Sequence, residues 1–189
     1  MKHARDREAG RYCSFYDTAL GCGAVVAGGE GLVEIFLPFA GRTRDEISND
    51  VREAYPAANG ASPLAEEAAA RLVRYFAGED VTFNFPLDLG RYTPFQQAVY
   101  RVVAAIPWGT VRTYTEVAAQ AGSPRGARGI GQAMARNLLP IIIPCHRVVG
   151  ASGCMTGYSA PGGISSKQWL LRLEGVRVTE RGRVGRTEA

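Results

Sequence analysis

The chain has 189 residues, of which 46% are hydrophobic and 21% are charged. These proportions are typical of a folded globular protein, and no apolar run approaches the roughly 20 residues that cross a bilayer, which excludes a membrane-spanning protein. Residues 1–7 carry charges where a secretory signal has an apolar stretch, so no export is expected. Four cysteines without such a signal favour free thiols, and we expect a cytoplasmic protein with no membrane association.

The net charge of +4 is unevenly distributed. Residues 90–189 hold 13 Lys+Arg and 4 Asp+Glu, a net of +9, whereas residues 1–89 hold 9 and 14, a net of −5. A basic half rich in arginine suits the binding of phosphates and favours a nucleic acid as partner. The alternative is a basic tail that serves solubility.

The first half predicts a small α/β domain over residues 12–88. Residues 1–11 are polar and aperiodic, and we expect them to form a disordered tail. An antiparallel sheet follows, with strands predicted at residues 14–17, 24–27, 32–37 and, after a helix, 81–87. The helix begins at Ser62 and Pro63, which suit the N-cap and first helical positions, and Gly78 ends it.

The second half predicts a mainly helical, winged-helix-like domain over residues 89–176, so the fold class is α+β. A helix begins at Pro94, and two short helices at residues 114–121 and 126–137 are joined by a glycine-containing turn, as in a helix-turn-helix. Any helical hairpin gives the same pattern, and the arginines beside it favour DNA. A last helix, capped by Ser165 or Ser166, precedes a flexible basic tail at residues 177–189.

Residues 144–148 read Pro-Cys-His-Arg-Val and follow an apolar run. A cysteine attacks as thiolate, which is a minor form of a free cysteine at pH 7. An imidazole held by a carboxylate raises the thiolate fraction, so we expect Cys145 to be a nucleophile with a pKa below that of a free cysteine. The alternative is that Cys145 is a small buried core residue.

With Asn137 before it and Gly157-Tyr-Ser159 after it, this pentapeptide resembles the active-site segment of the O6-alkylguanine-DNA alkyltransferases. Further parts of the second half resemble that family's domain entry, first recognition segment, recognition helix and closing helix, namely residues 93–99, 106–114, 127–134 and 167–174. In the first half only short pieces resemble the family. The run at residues 157–163 is longer than in many members.

The resemblance implies a reaction in which Cys145 takes the alkyl group, chiefly methyl, from O6 of guanine. His146 would remove the thiol proton through a water, Glu174 would orient the imidazole, and Tyr114 would donate to the base. The thioether product is inert, so each molecule would act once. The resemblance gives supporting roles to further residues: Asn137 braces the turn before the nucleophile, the Ser159 N–H donates to O6, the carbonyls of Cys145 and Val148 accept from the guanine amine, and Pro140 and Tyr158 form pocket walls.

The same resemblance implies double-stranded DNA containing O6-alkylguanine as the partner. The recognition helix would contact the DNA and the target base through Ala127, Arg128, Gly131 and Met134. A base inside a duplex cannot present O6 to a thiol, so the nucleotide must rotate out at a cost of a few kcal/mol. Arg128 would enter the stack in its place.

No cofactor is implied, no protein partner is required, and a monomer is expected. Cys13, Cys22 and His3 lack a zinc-binding spacing, so no metal is expected. A repair transferase has three alternatives. A non-catalytic alkyltransferase-like damage-binding protein would lack the nucleophilic cysteine, a methylation-responsive transcription factor would need a further domain, and a cysteine hydrolase would leave the helix-turn-helix unexplained.

Overall fold

The computed structural model describes residues 10–185, without the side chain of Ala40. Contacts divide the chain into two compact units, with the boundary between Leu89 and Gly90. Of the tail predicted at residues 1–11, residues 1–9 lie outside the described part of the chain, as do residues 186–189 at the other end.

The first unit is built on a three-stranded antiparallel sheet in the order β1-β2-β3. Its strands are β1 (Tyr12–Thr18), β2 (Gly21–Gly28) and β3 (Gly31–Phe36). The predicted antiparallel sheet and α+β class are therefore confirmed. Gly31 has φ +138, and a Cβ there would collide with the backbone of Pro86, so the turn into β3 requires glycine.

Two helices pack on this sheet, α1 (Arg44–Ala54) and α2 (Pro63–Phe76). The start of α2 is as predicted, since Ser62 Oγ accepts a hydrogen bond from the Ala65 N–H at 3.2 Å. Helix α1 was not predicted from the sequence. That helix opens with a capping box, in which the Thr43 N–H donates to Glu46 Oε2 at 2.8 Å, and such a cap is worth about 1 kcal/mol.

The prediction of a strand at residues 81–87 is wrong, because this segment has no regular secondary structure and forms only an isolated bridge between Leu87 and Leu32. Two features keep the segment out of the sheet. Pro86 has no N–H to donate to a ladder. Arg71 of α2 donates to Thr82 O at 2.9 Å and to Asn84 Oδ1 at 2.7 Å, and so occupies a carbonyl that a neighbouring strand would need.

Over residues 90–185, the second unit has four α-helices and two very short strands. In chain order they are α3 (Pro94–Ala104), β4 (Arg112–Thr113), α4 (Tyr114–Gln120), α5 (Ala127–Ala135), β5 (Val148–Val149) and α6 (Gly163–Leu173). Helices α4 and α5 pack together, joined by a turn in which Gly122 has φ +74. Tyr100 of α3 donates to Ala133 O of α5 at 2.9 Å. The predicted helix-turn-helix is present.

Strand β4 pairs in parallel with β5, with Arg112 opposite Val148 and Thr113 opposite Val149. Thr113 also caps α4, because its Oγ accepts from the Glu116 N–H at 3.1 Å. The pairing therefore places the beginning of the helix-turn-helix beside the end of the Pro-Cys-His-Arg-Val sequence.

The final helix and the segment after it differ from the predictions. Helix α6 begins after Gly162, which has φ +80, and Ser166 lies within the helix, where its hydroxyl donates to Pro161 O at 2.7 Å. Residues 177–185, predicted as part of a flexible tail, form a hairpin held by hydrogen bonds from Thr179 N–H to Arg183 O at 2.8 Å and from Gly185 N–H to Arg177 O at 3.1 Å. We call residues 177–185 the C-terminal hairpin.

Candidate active site

Cys145 opens a single 3-10 turn, Cys145–Arg147, between a buried turn and β5. The buried turn is held by Asn137, whose amide donates to Ile143 O at 2.8 Å and whose Oδ1 accepts from the Leu139 N–H at 2.9 Å. Within it Ile141 has φ +73, a conformation that costs a β-branched residue about 1–3 kcal/mol. The packing around the turn sustains this strain directly before the nucleophile.

Three charged or ionisable side chains meet behind the cysteine. His146 Nε2 lies 2.7 Å from Glu174 Oε1, and both side chains are fully buried. Arg147 donates from Nε to Glu174 Oε2 and from Nη2 to Glu174 Oε1, each at 2.9 Å. Its Nη1 donates to Ile106 O at 2.5 Å. Glu174 therefore receives a bidentate guanidinium as well as the imidazole, and Arg147, to which the sequence analysis gave no chemistry, fixes the carboxylate.

These contacts determine the protonation of the pair. Burial opposes ionisation of Glu174, but the hydrogen bonds and charges of His146 and Arg147 prevail and lower its pKa to about 2. Burial lowers the pKa of His146 below its ordinary value, although Glu174 opposes this. The carboxylate can then only accept, so Nε2 of a neutral imidazole carries the proton and Nδ1 carries the lone pair.

The expectation of a lowered pKa for Cys145 is wrong for this state of the protein. Burial raises the pKa of the thiol above its ordinary value, while Asn137 and the charge of Lys167 act in the opposite direction without prevailing. The side chain is 7% exposed, and a thiolate there loses most of its hydration. The resting cysteine is therefore a neutral thiol, and it must lose its proton during the reaction.

Lys167 is a site residue that the sequence analysis missed. It is 1% exposed, lines the cavity that contains Cys145, and donates from Nζ to Val148 O at 2.6 Å. Burial lowers its pKa to about 8, and the cysteine partly offsets that shift. Helical spacing could have revealed it, because Lys167, Leu170, Leu171 and Glu174 follow the i, i+3, i+4, i+7 pattern of one helix face.

A cavity of about 500 Å³ opens above the thiol, a volume in the range of small-molecule sites. One wall is α5 and the other is the segment 156–159, which follows the nucleophile in the chain. The cavity is lined by predicted residues from both walls and from the start of α4, namely Tyr114, Ala127, Arg128, Gly131, Met134, Cys145, Tyr158 and Ser159. Ala135, Thr156, Gly157 and Lys167 complete the lining.

The other predicted residues lie behind the cavity surface. Pro140 is buried in the turn that Asn137 holds and does not line the cavity, contrary to the expectation that it forms a wall. Val148 is also buried, and its carbonyl already accepts from Lys167. A carbonyl has a second lone pair, so this contact leaves room for one more donor. Asn137, His146 and Glu174 support the thiol from within the protein.

Two phenols face the same space. Tyr114 donates to Thr156 O at 3.2 Å, which links the start of α4 to the loop wall, and burial raises its pKa. The Tyr158 hydroxyl is buried and meets no hydrogen-bond partner of standard geometry within residues 10–185. Burial, reinforced by the charge of Glu174, raises the pKa of Tyr158 well above its ordinary value. Both phenols keep their protons and can act as donors.

Residues 10–185 contain neither a cluster of metal ligands nor a membrane-spanning helix. No three His, Cys, Asp or Glu side chains in that range cluster as metal ligands, and His3 lies outside it. The helices of this range are all too short or too polar to span a bilayer.

Both units match domain models of one known protein family. Residues 11–89 match the family model described as 6-O-methylguanine DNA methyltransferase, ribonuclease-like domain, and residues 94–176 match the one described as 6-O-methylguanine DNA methyltransferase, DNA binding domain. A methylated-DNA–protein-cysteine methyltransferase of Mycobacterium leprae is 40% identical over 163 residues, which cover 86% of this chain and 92% of that protein.

Two further relatives agree. The constitutive methylated-DNA–protein-cysteine methyltransferase of Bacillus subtilis is 44% identical over 120 residues, 64% of this chain and 72% of that protein. The crystal structure of Mycobacterium tuberculosis OGT in complex with DNA superposes with a TM-score of 0.69 at 36% identity, covering 87% of this chain and 93% of that one. Together with the two family models, these similarities show that this chain belongs to the 6-O-methylguanine DNA methyltransferase family.

Proposed function

We propose that this protein repairs DNA by transferring the alkyl group of O6-alkylguanine irreversibly to the sulfur of Cys145. The observation that carries the proposal is the position of that thiol at the base of a 500 Å³ cavity between a helix-turn-helix and the loop 156–159. A purine rotated out of a duplex is the kind of flat ligand that such a cavity accepts.

The chemistry follows from the groups behind and around the thiol. As the cavity fills, His146 Nδ1 takes the thiol proton, directly or through a water, and Glu174 and Arg147 hold the imidazole in the tautomer that allows this. Sulfur then forms a bond to the alkyl carbon while the carbon–O6 bond breaks, and the electron pair stays on guanine. The Tyr114 phenol hydrogen-bonds to the departing base, and the proton lost by sulfur ends on guanine.

Lys167 has two roles in this scheme. Its charge favours the thiolate over the neutral thiol, opposing the effect of burial. Its hydrogen bond to Val148 O also fixes the carbonyl that would accept from the guanine amine. Ser159, at the cavity rim, would donate its backbone N–H to O6, and Arg128 would fill the space that the nucleotide leaves in the duplex.

We assign the alkyl transfer to a catalytic domain at residues 89–176, and residues 12–88 form a separate first domain. We also propose that the protein is cytoplasmic, because a nucleophilic thiol requires a reducing compartment. A non-catalytic damage-binding role is the alternative, and it is disfavoured because Cys145 lines the cavity and its neighbours include a histidine–carboxylate pair.

Intact mass after incubation with a duplex containing O6-methylguanine tests the function. We expect a gain of one CH₂ unit per molecule, located by peptide mapping on Cys145, with no turnover beyond one equivalent. Binding of the duplex without any gain in mass would establish the damage-binding alternative instead.

A further inference from the structure

The C-terminal hairpin lies beyond residue 176, where the family model for the second unit ends. It is attached to the segment that leads to the loop wall of the cavity. The Val184 N–H donates to Gly153 O at 2.9 Å, and Arg183 forms a bridge with Cys154. Gly153 has φ +73, and a Cβ there would collide with the Val184 carbonyl, so the contact requires glycine at that position.

The hairpin is also fastened by its apolar side. Val184 is 7% exposed and packs in a cluster with Val149 of β5, Leu171 of α6 and Val176. These neighbours belong to the elements that carry the active site. Buried apolar contact of this kind fixes the position of the hairpin relative to the cavity.

The other side of the hairpin is basic. Residues 177–185 contain three arginines and one glutamate, a net of +2. Arg177, Arg181 and Arg183 are all exposed. Within the described part of the chain, none of the three pairs with a carboxylate. Exposed guanidinium groups that form no such pair suit the bidentate binding of phosphates.

The position of the hairpin relative to the cavity follows from the short stretch of chain between Cys154 and the cavity lining. Cys154, which bridges to Arg183, precedes the cavity-lining Thr156 by two residues, and two residues of chain span at most about 7 Å. The backbone of Arg183 therefore lies near the loop wall, and Arg177 and Arg181 belong to the same hairpin, whereas Arg128 and the helix-turn-helix lie at the other wall. A nucleotide inserted between the walls would leave its strand running past both.

We propose that the C-terminal hairpin is a second DNA-contacting element, whose arginines bind phosphates beside the loop wall and extend the interface beyond the helix-turn-helix. The inference rests on the proposed function for its partner. It concerns only sequence-independent contacts with the phosphate backbone, which determine how affinity depends on salt.

The test is the salt dependence of binding to an undamaged duplex by the variant with Arg177→Gln, Arg181→Gln and Arg183→Gln. Each phosphate contact contributes about 0.9 to the slope of log affinity against log salt, so the slope should become shallower by about 1 to 3. A variant with the same three residues changed to Lys should keep the wild-type slope, since each charge remains.

The matched control changes Arg44, Arg52 and Arg74 to Gln, which removes three exposed charges from the first unit. We expect its slope to equal that of the wild type. The alkylation of each variant by free O6-benzylguanine, which needs no duplex, should also be unchanged, and this shows that the cavity is intact.

An unchanged slope in the hairpin variant overturns the inference, whatever the rate with the free base. A slower reaction with the free base and no change in slope would mean that the hairpin only braces the loop wall. Failure of the proposed function would be seen separately, as the absence of a mass gain in the wild-type protein, because the salt slope requires no alkyl transfer.

Discussion

The cysteines of the two units differ in their surroundings more than in their burial. In the first unit, the pKa of Cys13 is raised to about 11, mainly by burial, and the pKa of Cys22 is raised to about 11 by burial together with a hydrogen bond to Asp17. In the second unit, burial also raises the pKa of Cys145, but Asn137 and Lys167 oppose it. All three thiols are neutral at rest.

The two sites differ in the groups that surround each sulfur and that would stabilise it after the thiol loses its proton. Cys22 packs among apolar side chains of the sheet and α1, and the carboxylate of Asp17 beside it disfavours a thiolate more than the charge of Arg44 favours one. Cys145 opens into a cavity and adjoins a buried imidazole, two cations and a carboxylate. A reactive cysteine is thus recognised by its neighbours rather than by the pKa of its resting thiol.

The largest expected effect comes from removing the nucleophile. Cys145→Ser should abolish alkyl transfer, because an alcohol is a far weaker nucleophile than a thiol. Duplex binding should persist, because the exposed arginines of the second unit are unchanged. Cys13→Ser is the matched control and should transfer normally. Transfer by the Cys145 variant above the uncatalysed background, measured by mass, would refute the assignment.

Replacing the shared carboxylate should have the next largest effect. Glu174→Gln leaves Arg147 buried without its counter-charge and should lower the free energy of unfolding by about 3 kcal/mol, with transfer slowed about 100-fold. Urea unfolding and single-turnover kinetics measure the two changes. A variant of normal stability and normal rate would contradict the role given to this carboxylate.

The same variant separates the acid sensitivity of the site from that of the rest of the protein. Glu174 has a pKa of about 2 in the folded protein against an ordinary 4.5, so its stabilisation is complete above pH 4.5 and is lost as the pH falls towards 2. That loss corresponds to about 3 kcal/mol. The pKa of His146 is also lowered, so the fold resists protonation of this imidazole. Stability therefore also falls as the pH drops below the ordinary pKa of histidine. Glu174→Gln should show a flatter stability profile below pH 4.5, and an unchanged profile would contradict this account.

Lys167→Met tests the cation beside the thiol. Loss of the charge should raise the pKa of Cys145 further and slow transfer about 10- to 100-fold, the effect expected for a hydrogen bond to a charged group. The pH dependence of iodoacetamide labelling reports the shift in pKa. Thermal unfolding should change little, because removing a buried charge offsets the lost hydrogen bond. An unshifted labelling profile would show that the lysine serves packing alone.

The smallest effect is expected at the cavity rim. Arg128→Ala should slow repair of a duplex lesion about 10-fold, because nothing then fills the space left by the rotated nucleotide. Reaction with free O6-benzylguanine should stay near the wild-type rate. Arg125→Ala, a nearby exposed arginine that does not line the cavity, is the control. Equal losses on duplex and free base would indicate a folding defect.

Much of the fold and most of the cavity could be predicted from local pattern. Ser62, Thr93 and Thr113 occupy cap positions that their residue types favour, and eight predicted site residues line the cavity. The strand predicted at residues 81–87 failed because alternation does not show that Arg71 takes a carbonyl of that segment. The pKa of Cys145 was predicted in the wrong direction because the depth of a thiol depends on packing from distant parts of the chain.

The burial of Cys145 has a consequence for the lifetime of the protein. A reagent that is consumed by one event must survive intact until that event, and exposed thiolates are oxidised or captured by stray electrophiles. A protonated sulfur that is 7% exposed is protected from both. Burial of the neutral thiol should therefore slow the loss of the protein's single equivalent of reactivity before it meets a damaged base.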